Sequence, residues 1–177
     1  MVLVVIDMQN GFLGDKSRHI IRPVVELVRA FTDRKMPIIF TRFHNEPGSP
    51  YETLMGWKRL RFSPEIDLTD ELKPYASTVI DKGIYSAFTP AFAAETSRRG
   101  WKTMVLCGVA TDGCVLKTAV DAFERGLVPI VAEDACASHA GEEVHRAGLM
   151  LLGKFIGQRQ IMTLNDILGL VDDHRGE

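Results

Sequence analysis

The run Thr103-Met104-Val105-Leu106-Cys107-Gly108, continued by Val109-Ala110-Thr111-Asp112-Gly113-Cys114-Val115, reads as an apolar strand that turns directly into a helix. The helix is expected over 113–125, because apolar residues recur three and four apart from Val115 to Phe123. A strand that feeds a helix through a tight, glycine-containing turn is one half of a strand–helix–strand unit. The placement of Cys114 at that junction matters. Helix N-termini carry unpaired N–H groups and a favourable dipole, so a thiol there is expected to be partly ionised near neutral pH.

The same alternation extends in both directions. Val2-Leu3-Val4-Val5-Ile6 is apolar and largely β-branched, as in a strand buried on both faces. Pro23–Lys35 has a helical apolar face, and Pro37–Phe43 reads as the next strand. Thr78–Asp81 is a third strand, and Thr89–Gly100 a helix closed by glycine. Beyond Gly126, a strand is expected over Leu127–Val131, a helix over 140–157, a strand over Gln160–Thr163 and a closing helix over Asn165–Leu170. Asp172–Glu177 reads as a polar tail. Residues 44–75 break the rhythm, with Pro47, Pro50, Pro64 and Pro74 and at most a short helix at Thr69–Leu72. Such long excursions in compact domains are usually functional or covering segments. The expected architecture is a three-layer α/β/α, Rossmann-like fold with a central, mostly parallel six-stranded sheet. Residues 1–177 are read as one domain, with the covering loop at about 44–75.

In parallel sheets, functional groups collect at the C-terminal strand ends. The candidates there are Asp7, Arg42 and His44, Lys82, Cys114, and Asp134 with His139. Asp7, Lys82 and Cys114 together make a nucleophilic set. Asp7 can take the thiol proton and return it to a leaving amine, while Lys82 steadies both negative charges. The backbone N–H groups of Ala110 and Cys114 are candidate oxyanion donors.

Asp7-Met8-Gln9-Asn10-Gly11-Phe12 resembles the D-x-Q-x-x-F opening of the isochorismatase-like cysteine hydrolases. Lys82-Gly83-Ile84-Tyr85-Ser86-Ala87-Phe88 is similar to their K-x-x-x-S-A-F segment, and 108–115 to their G-x-x-T-x-x-C-V element. Thr118, Ala119, Asp121, Ala122 and Asp134-Ala135 continue the likeness across nearly the whole chain. The resemblance implies a catalytic triad of Asp7, Lys82 and Cys114. It also implies a non-proline cis peptide between Val109 and Ala110, and a dimer or tetramer. The activity implied is cysteine-dependent hydrolysis of an amide or ureido C–N bond of a small molecule through a thioester. Relatives that cleave the vinyl ether of isochorismate lack the cysteine, so Cys114 favours the amidohydrolase branch. The alternatives are isochorismatase-type hydrolysis and, from another class, a catalytically silent binding protein on the same fold. Nicotinamidases of this family carry a D-x-H metal pair after the second strand. Here the segment is Arg42-Phe43-His44, with no histidine between 45 and 138, so no metal and no cofactor are expected.

Phe12, Arg42, Phe43, Tyr85 and His139 are the candidate substrate-binding residues. The aromatic ones line a pocket or pack in the core; Arg42 and His139 recognise a carboxylate or amide, or pair at the surface. Cys107 and Cys136 read as structural, and His19, His145 and His174 as surface residues. The basic run Lys58, Arg59 and Arg61 reads as a solvated face or a subunit contact. Trp57 and Phe62 read as loop anchors, against a second subunit in one reading.

Bulk properties exclude other classes. With 21 basic against 23 acidic residues, the chain lacks the basic excess expected for nucleic acid or an anionic membrane. The three cysteines do not form a disulfide framework or a zinc motif, which fits a reducing, cytoplasmic compartment. The apolar run at Val2–Ile6 is too short for a signal peptide or a membrane span.

Overall fold

The structure, a computed structural model, describes residues 1–173. Six parallel strands form the central sheet in the order β3-β2-β1-β4-β5-β6. They are β1 (Val2–Ile6), β2 (Ile38–Phe43), β3 (Val79–Lys82), β4 (Thr103–Val109), β5 (Val128–Ala137) and β6 (Ile161–Met162). The helices are α1 (Ile21–Asp33), α2 (Pro50–Thr53), α3 (Pro90–Arg99), α4 (Leu116–Glu124), α5 (Glu142–Ile156) and α6 (Leu164–Asp173).

β1 lies in the middle, and every one of its side chains is buried. Its alternation divides the core. Leu3 and Val5 meet Val24, Leu27, Val28 and Phe31 of α1 and Ile167 and Val171 of α6. Val2, Val4 and Ile6 meet Phe92 of α3, Ala119 and Ala122 of α4, and Leu152 and Ile156 of α5. Each fully buried Val, Leu, Ile or Phe among them contributes about 1.5–3 kcal/mol of transfer free energy. This explains the unbroken apolar reading of β1: it has no solvent face to mark with polar residues.

The chain winds outward from β1 to β2 and β3, then returns to place β4 on β1's other side. The reversal of winding therefore lies between β1 and β4, where a crevice opens at the C-terminal strand ends. The two strands are in register through Ile6 opposite Gly108. Gly108 has φ +116°, and a Cβ there would sit 2.1 Å from the Ile6 carbonyl oxygen. Only glycine lets β4 pass this close beneath the site.

Several boundaries differ from the sequence reading. The expected strand at 127–131 runs on to Ala137, through an irregularity opposite Leu106–Gly108. Glu133 and Asp134 interrupt its apolar run because β6 pairs only with Val131 and Ala132, leaving the edge beyond open to water. Asp134 thus lies inside β5, and its Oδ1 accepts from the Leu164 N–H to start α6. The expected helix over 113–125 begins as an α-helix only at Leu116; Thr111–Val115 form a wider π-type turn, closed by Val115 N–H to Ala110 O at 3.1 Å. α3 starts and stops at its caps: the Thr89 hydroxyl accepts from Phe92 N–H, and Gly100 takes φ 65°. The short helix expected at Thr69–Leu72 lies instead at Lys73–Tyr75 as one 3-10 turn, while α2 and a 3-10 turn at Arg18–Ile20 had no sequence reading. Asp172 and Asp173 of the expected polar tail belong to α6; its remainder, with His174, lies outside the described residues. Among the described residues, no helix is long and apolar enough to cross a membrane.

Candidate active site

Three strand ends converge at the crevice. Asp7 follows β1 in a left-handed conformation, φ 49°, which aspartate tolerates better than most residues. Its backbone N–H donates to Thr41 Oγ1, and the Thr41 hydroxyl donates back to Oδ1 at 2.7 Å. That reciprocal pair fixes the carboxylate and leaves Oδ2 facing inward. Lys82 closes β3, and its ammonium lies 2.7 Å from Asp7 Oδ2, with both side chains fully buried. The contact is within ion-pair reach, yet Oδ2 has no aligned hydrogen bond within the protein. The ammonium donates to the carbonyls of Ile84 and Tyr85 at 2.9 and 3.1 Å and reaches Cys114 Sγ at 3.4 Å. It also sits over the Phe43 ring, 5.2 Å from the centroid. The structure brings Asp7, Lys82 and Cys114 into one buried cluster.

The charge states follow from burial. Burial works to lower the Lys82 pKa, but the Asp7 carboxylate and the Cys114 sulfur outweigh it, and the net shift is upward. Lysine therefore stays an ammonium. Burial pushes the Cys114 thiol well above its ordinary value, Asp7 adds to the rise, and Lys82 opposes it. The resting group is a neutral thiol with the Lys82 ammonium 3.4 Å from its sulfur. This corrects the expectation of a partly ionised thiol. The dipole of one short turn does not offset desolvation and a neighbouring anion.

The turn that carries Cys114 is held from below and from the side. The peptide between Val109 and Ala110 is cis. Gly113 N–H donates to Ala110 O at 3.0 Å. Gly148 of α5 lies so close that a Cβ there would be 3.0 Å from the Asp112 nitrogen. His145, one turn earlier, places Nδ1 2.7 Å from Thr111 Oγ1. It is half-buried rather than a surface histidine, and burial pulls it below its ordinary pKa.

Cys114 opens into a cavity of about 590 Å³ walled by Phe12, Phe43, Tyr51, Trp57, Tyr85 and His139, with Met55, Asp112 and Lys117 also lining it. Phe12 stacks between Trp57 and His139, with centroids 6.0 and 5.7 Å away. Tyr51 meets Phe43 and Tyr85 edge-on at 5.0 and 5.1 Å. Burial pushes the Tyr51 phenol above its ordinary pKa, so it is a neutral hydroxyl. Sequence reasoning did not place Tyr51, Met55 and Trp57 at the site. The available signal was a concentration of aromatic residues in a segment without helical or strand period. That segment is fastened internally: Arg61 and Lys58 pair with Glu52, Arg59 pairs with Glu65, and Gln9 bonds Phe43 and Ile66. The basic run is therefore a set of clasps within the loop.

Arg42 is not in the cavity wall, contrary to its candidacy for substrate binding. Its side chain points to the outer face of β2 and grips both oxygens of Asp81 at 2.6 and 2.9 Å. The same pair bears on a metal site after β2, of the kind that the family's nicotinamidases carry there. His44 Nε2 lies 3.7 Å from Asp81 Oδ1, so His44 and Asp81 are the groups available beside β2. A guanidinium already saturates that carboxylate and places positive charge where a cation would bind. The residues present do not fit a metal ion at this position. Cys107 and Cys136 are buried in β4 and β5, burial pushes both thiols up, and neither lines the cavity.

Comparison with known proteins finds relatives over most of the chain. Nicotinamidase 3 of Arabidopsis thaliana is 28% identical over 158 residues, covering 85% of this chain and 79% of the plant protein. The ureidoacrylate amidohydrolase RutB of Acinetobacter baylyi is 27% identical over 190 residues, covering 88% of this chain and 78% of its own. The crystal structure of an isochorismatase-like hydrolase from Alkaliphilus metalliredigens superposes with a TM-score of 0.84 at 24% identity, covering 96% of this chain and 97% of that one, which speaks to the fold. The isochorismatase domain pattern matches residues 1–160, and the chain belongs to that family.

Proposed function

We propose that the protein hydrolyses a C–N bond of a small amide through a thioester on Cys114. The observation that carries this reading is a neutral thiol and a carboxylate that share one buried ammonium at the floor of an aromatic-walled cavity. Relatives named as a nicotinamidase and a ureidoacrylate amidohydrolase support the C–N bond as the target.

The chemistry runs as two acyl transfers. Cys114 Sγ attacks the substrate carbonyl carbon as its proton passes to Asp7 Oδ2. The Ala110 and Cys114 N–H groups receive the negative oxygen; a donor of this kind is worth about 3–4 kcal/mol of barrier. The C–N bond breaks as Asp7 gives its proton to the departing nitrogen, and ammonia or an amine leaves. Water then attacks the thioester and yields a proton to Asp7. The C–S bond breaks, the acid departs, and Asp7 returns the proton to sulfur. Lys82 stays charged throughout and keeps Asp7 in place. General acid–base assistance of this kind supplies about 10²–10⁴-fold.

The cavity also narrows the substrate. Flat aromatic walls suit a planar, apolar acyl group. Lys117 at the rim is paired with Asp121, and Arg42 is turned away to Asp81. A carboxylate-bearing substrate would find its nearest cations engaged, so the reading favours uncharged amides.

The test is ammonia release from a panel of small aromatic amides, aliphatic amides and ureido acids. At least one uncharged amide is expected to turn over, and Cys114→Ala and Cys114→Ser are expected to lose turnover by about 10³-fold or more. Turnover of Cys114→Ala within tenfold of the parent would remove the nucleophile assignment.

A further inference from the structure

α5 does more than cover the sheet. Its first two turns press on the nucleophile turn at adjacent points of one helix face. Gly148 brings backbone against backbone, with no room for a side chain between α5 and Thr111–Asp112. His145, three residues earlier and so on the same face, bonds the Thr111 hydroxyl at 2.7 Å. Thr111 is fully buried, and it directly follows Ala110, whose N–H is one of the proposed oxyanion donors. The same short segment, Thr111–Val115, carries the nucleophile. A threonine has a stiff χ1, so fixing its hydroxyl also fixes the backbone that bears it.

We propose that His145 is a positioning residue: through Thr111 it holds the Ala110–Cys114 turn in the geometry that receives the tetrahedral intermediate. The inference rests on the thioester reading above. His145 does not line the cavity and needs no contact with substrate. Its neutral ring and the threonine hydroxyl satisfy one another, one donating and the other accepting. Removing the ring leaves a buried hydroxyl without this partner and lets the turn relax toward some other acceptor. A shift of well under 1 Å is enough to move the N–H groups off the developing oxyanion, and displacement on the 1 Å scale costs up to about 100-fold.

The experiment compares His145→Ala, His145→Asn, Thr111→Val, Thr111→Ser and the Ala/Val double variant, each scaled to alkylatable Cys114. His145→Ala and Thr111→Val are expected to lower kcat by about 10–100-fold with KM changed by less than about threefold. His145→Asn places an amide near the Nδ1 position, and Thr111→Ser keeps the hydroxyl; both are expected to recover most of the loss. The double variant is expected to be no worse than the worse single one, because both changes break the same bond. A merely structural histidine would lower thermal stability and leave kcat per titrated thiol unchanged, and that result would overturn the proposal. So would additive losses in the double variant. Should His145→Ala fail to fold, the Thr111→Val and Thr111→Ser pair carries the same comparison. Cys114→Ala separates the two levels: turnover that survives it refutes the thioester reading, whereas an unchanged kcat in the His145 and Thr111 variants refutes only the positioning role.

Discussion

Replacing Asp7 by asparagine should make Cys114 easier to alkylate and the enzyme nearly inactive at the same time. In the resting site burial first, then the Asp7 charge, hold the thiol protonated, while Lys82 pulls the other way. Asp7→Asn removes the anion and leaves the ammonium 3.4 Å from sulfur. The thiol pKa must then fall. Each unit of fall multiplies the thiolate fraction tenfold while the pH stays below that pKa, and adjacent charges commonly move a pKa by at least that much. Alkylation of Cys114 by iodoacetamide at pH 8 should therefore speed up by about tenfold or more. Turnover should drop by about 10²–10⁴-fold, because asparagine cannot carry the proton. Lys82→Met should have the opposite effect on the thiol, slowing alkylation by a similar factor while also abolishing turnover. Both variants break a fully buried ion pair, at a cost of about 3–5 kcal/mol. In Asp7→Asn the ammonium keeps the Ile84 and Tyr85 carbonyls, which places the cost near the lower bound, about 3 kcal/mol. For a chain of this size that is a fall in Tm of about 6–12 °C. Alkylation rates across pH, mass mapping to Cys114 and ammonia release read all three quantities. General loosening of the site would move alkylation the same way in both variants; the opposed signs are what the electrostatics require. If Asp7→Asn is alkylated no faster than the parent, or keeps turnover within tenfold, the assignment of Asp7 as the base that holds the thiol proton is wrong.

Treatment with EDTA should leave activity within about twofold of the untreated enzyme, since Arg42 occupies the carboxylate that a metal beside His44 would need; loss restored by zinc, iron or manganese would contradict this. The 44–75 loop should impose an acid limb on stability through Glu52. The Gly48 N–H first, then Arg61, hold its folded pKa down at about 2, below the ordinary 4.5. A depressed folded pKa gives stability that is present above about pH 4.5 and lost as pH falls toward 2. Glu52→Gln should therefore destabilise the protein at pH 6 and much less at pH 3, measured by urea titration at both; an equal effect at both would show that Glu52 does not act through its charge.

The alternation of apolar runs and helical faces carried enough information to place β1, β2, α1, α3 and β4 within a few residues, because those elements bury long stretches and α3 signals both its ends, with Thr89 and Gly100. The convergence of the three candidate residues was legible for a related reason. Asp7 follows β1 directly, Lys82 ends β3 and Cys114 lies in the turn that follows β4, and a parallel sheet gathers such ends at one edge. What a linear reading does not contain is the sum of burial and charge at a point. A helix-terminal cysteine suggested a thiolate, but the fold closes around Cys114 and sets Asp7 beside it, so the proton stays. Residue type marked Arg42 for a carboxylate, and the carboxylate it meets is Asp81 of the neighbouring strand, a pairing fixed by the β2–β3 register. Tyr51 and Trp57 lie in a segment without period, so only its path over the crevice makes them walls of the cavity. His145 showed nothing in sequence but a polar residue on an amphipathic helix. Its contact with Thr111 exists because Gly148 lets α5 lie against the turn. Secondary structure and the identity of the candidate groups are local properties that a sequence can state; protonation, pocket shape and the bracing of the turn that carries Cys114 are properties of neighbours that only folding supplies.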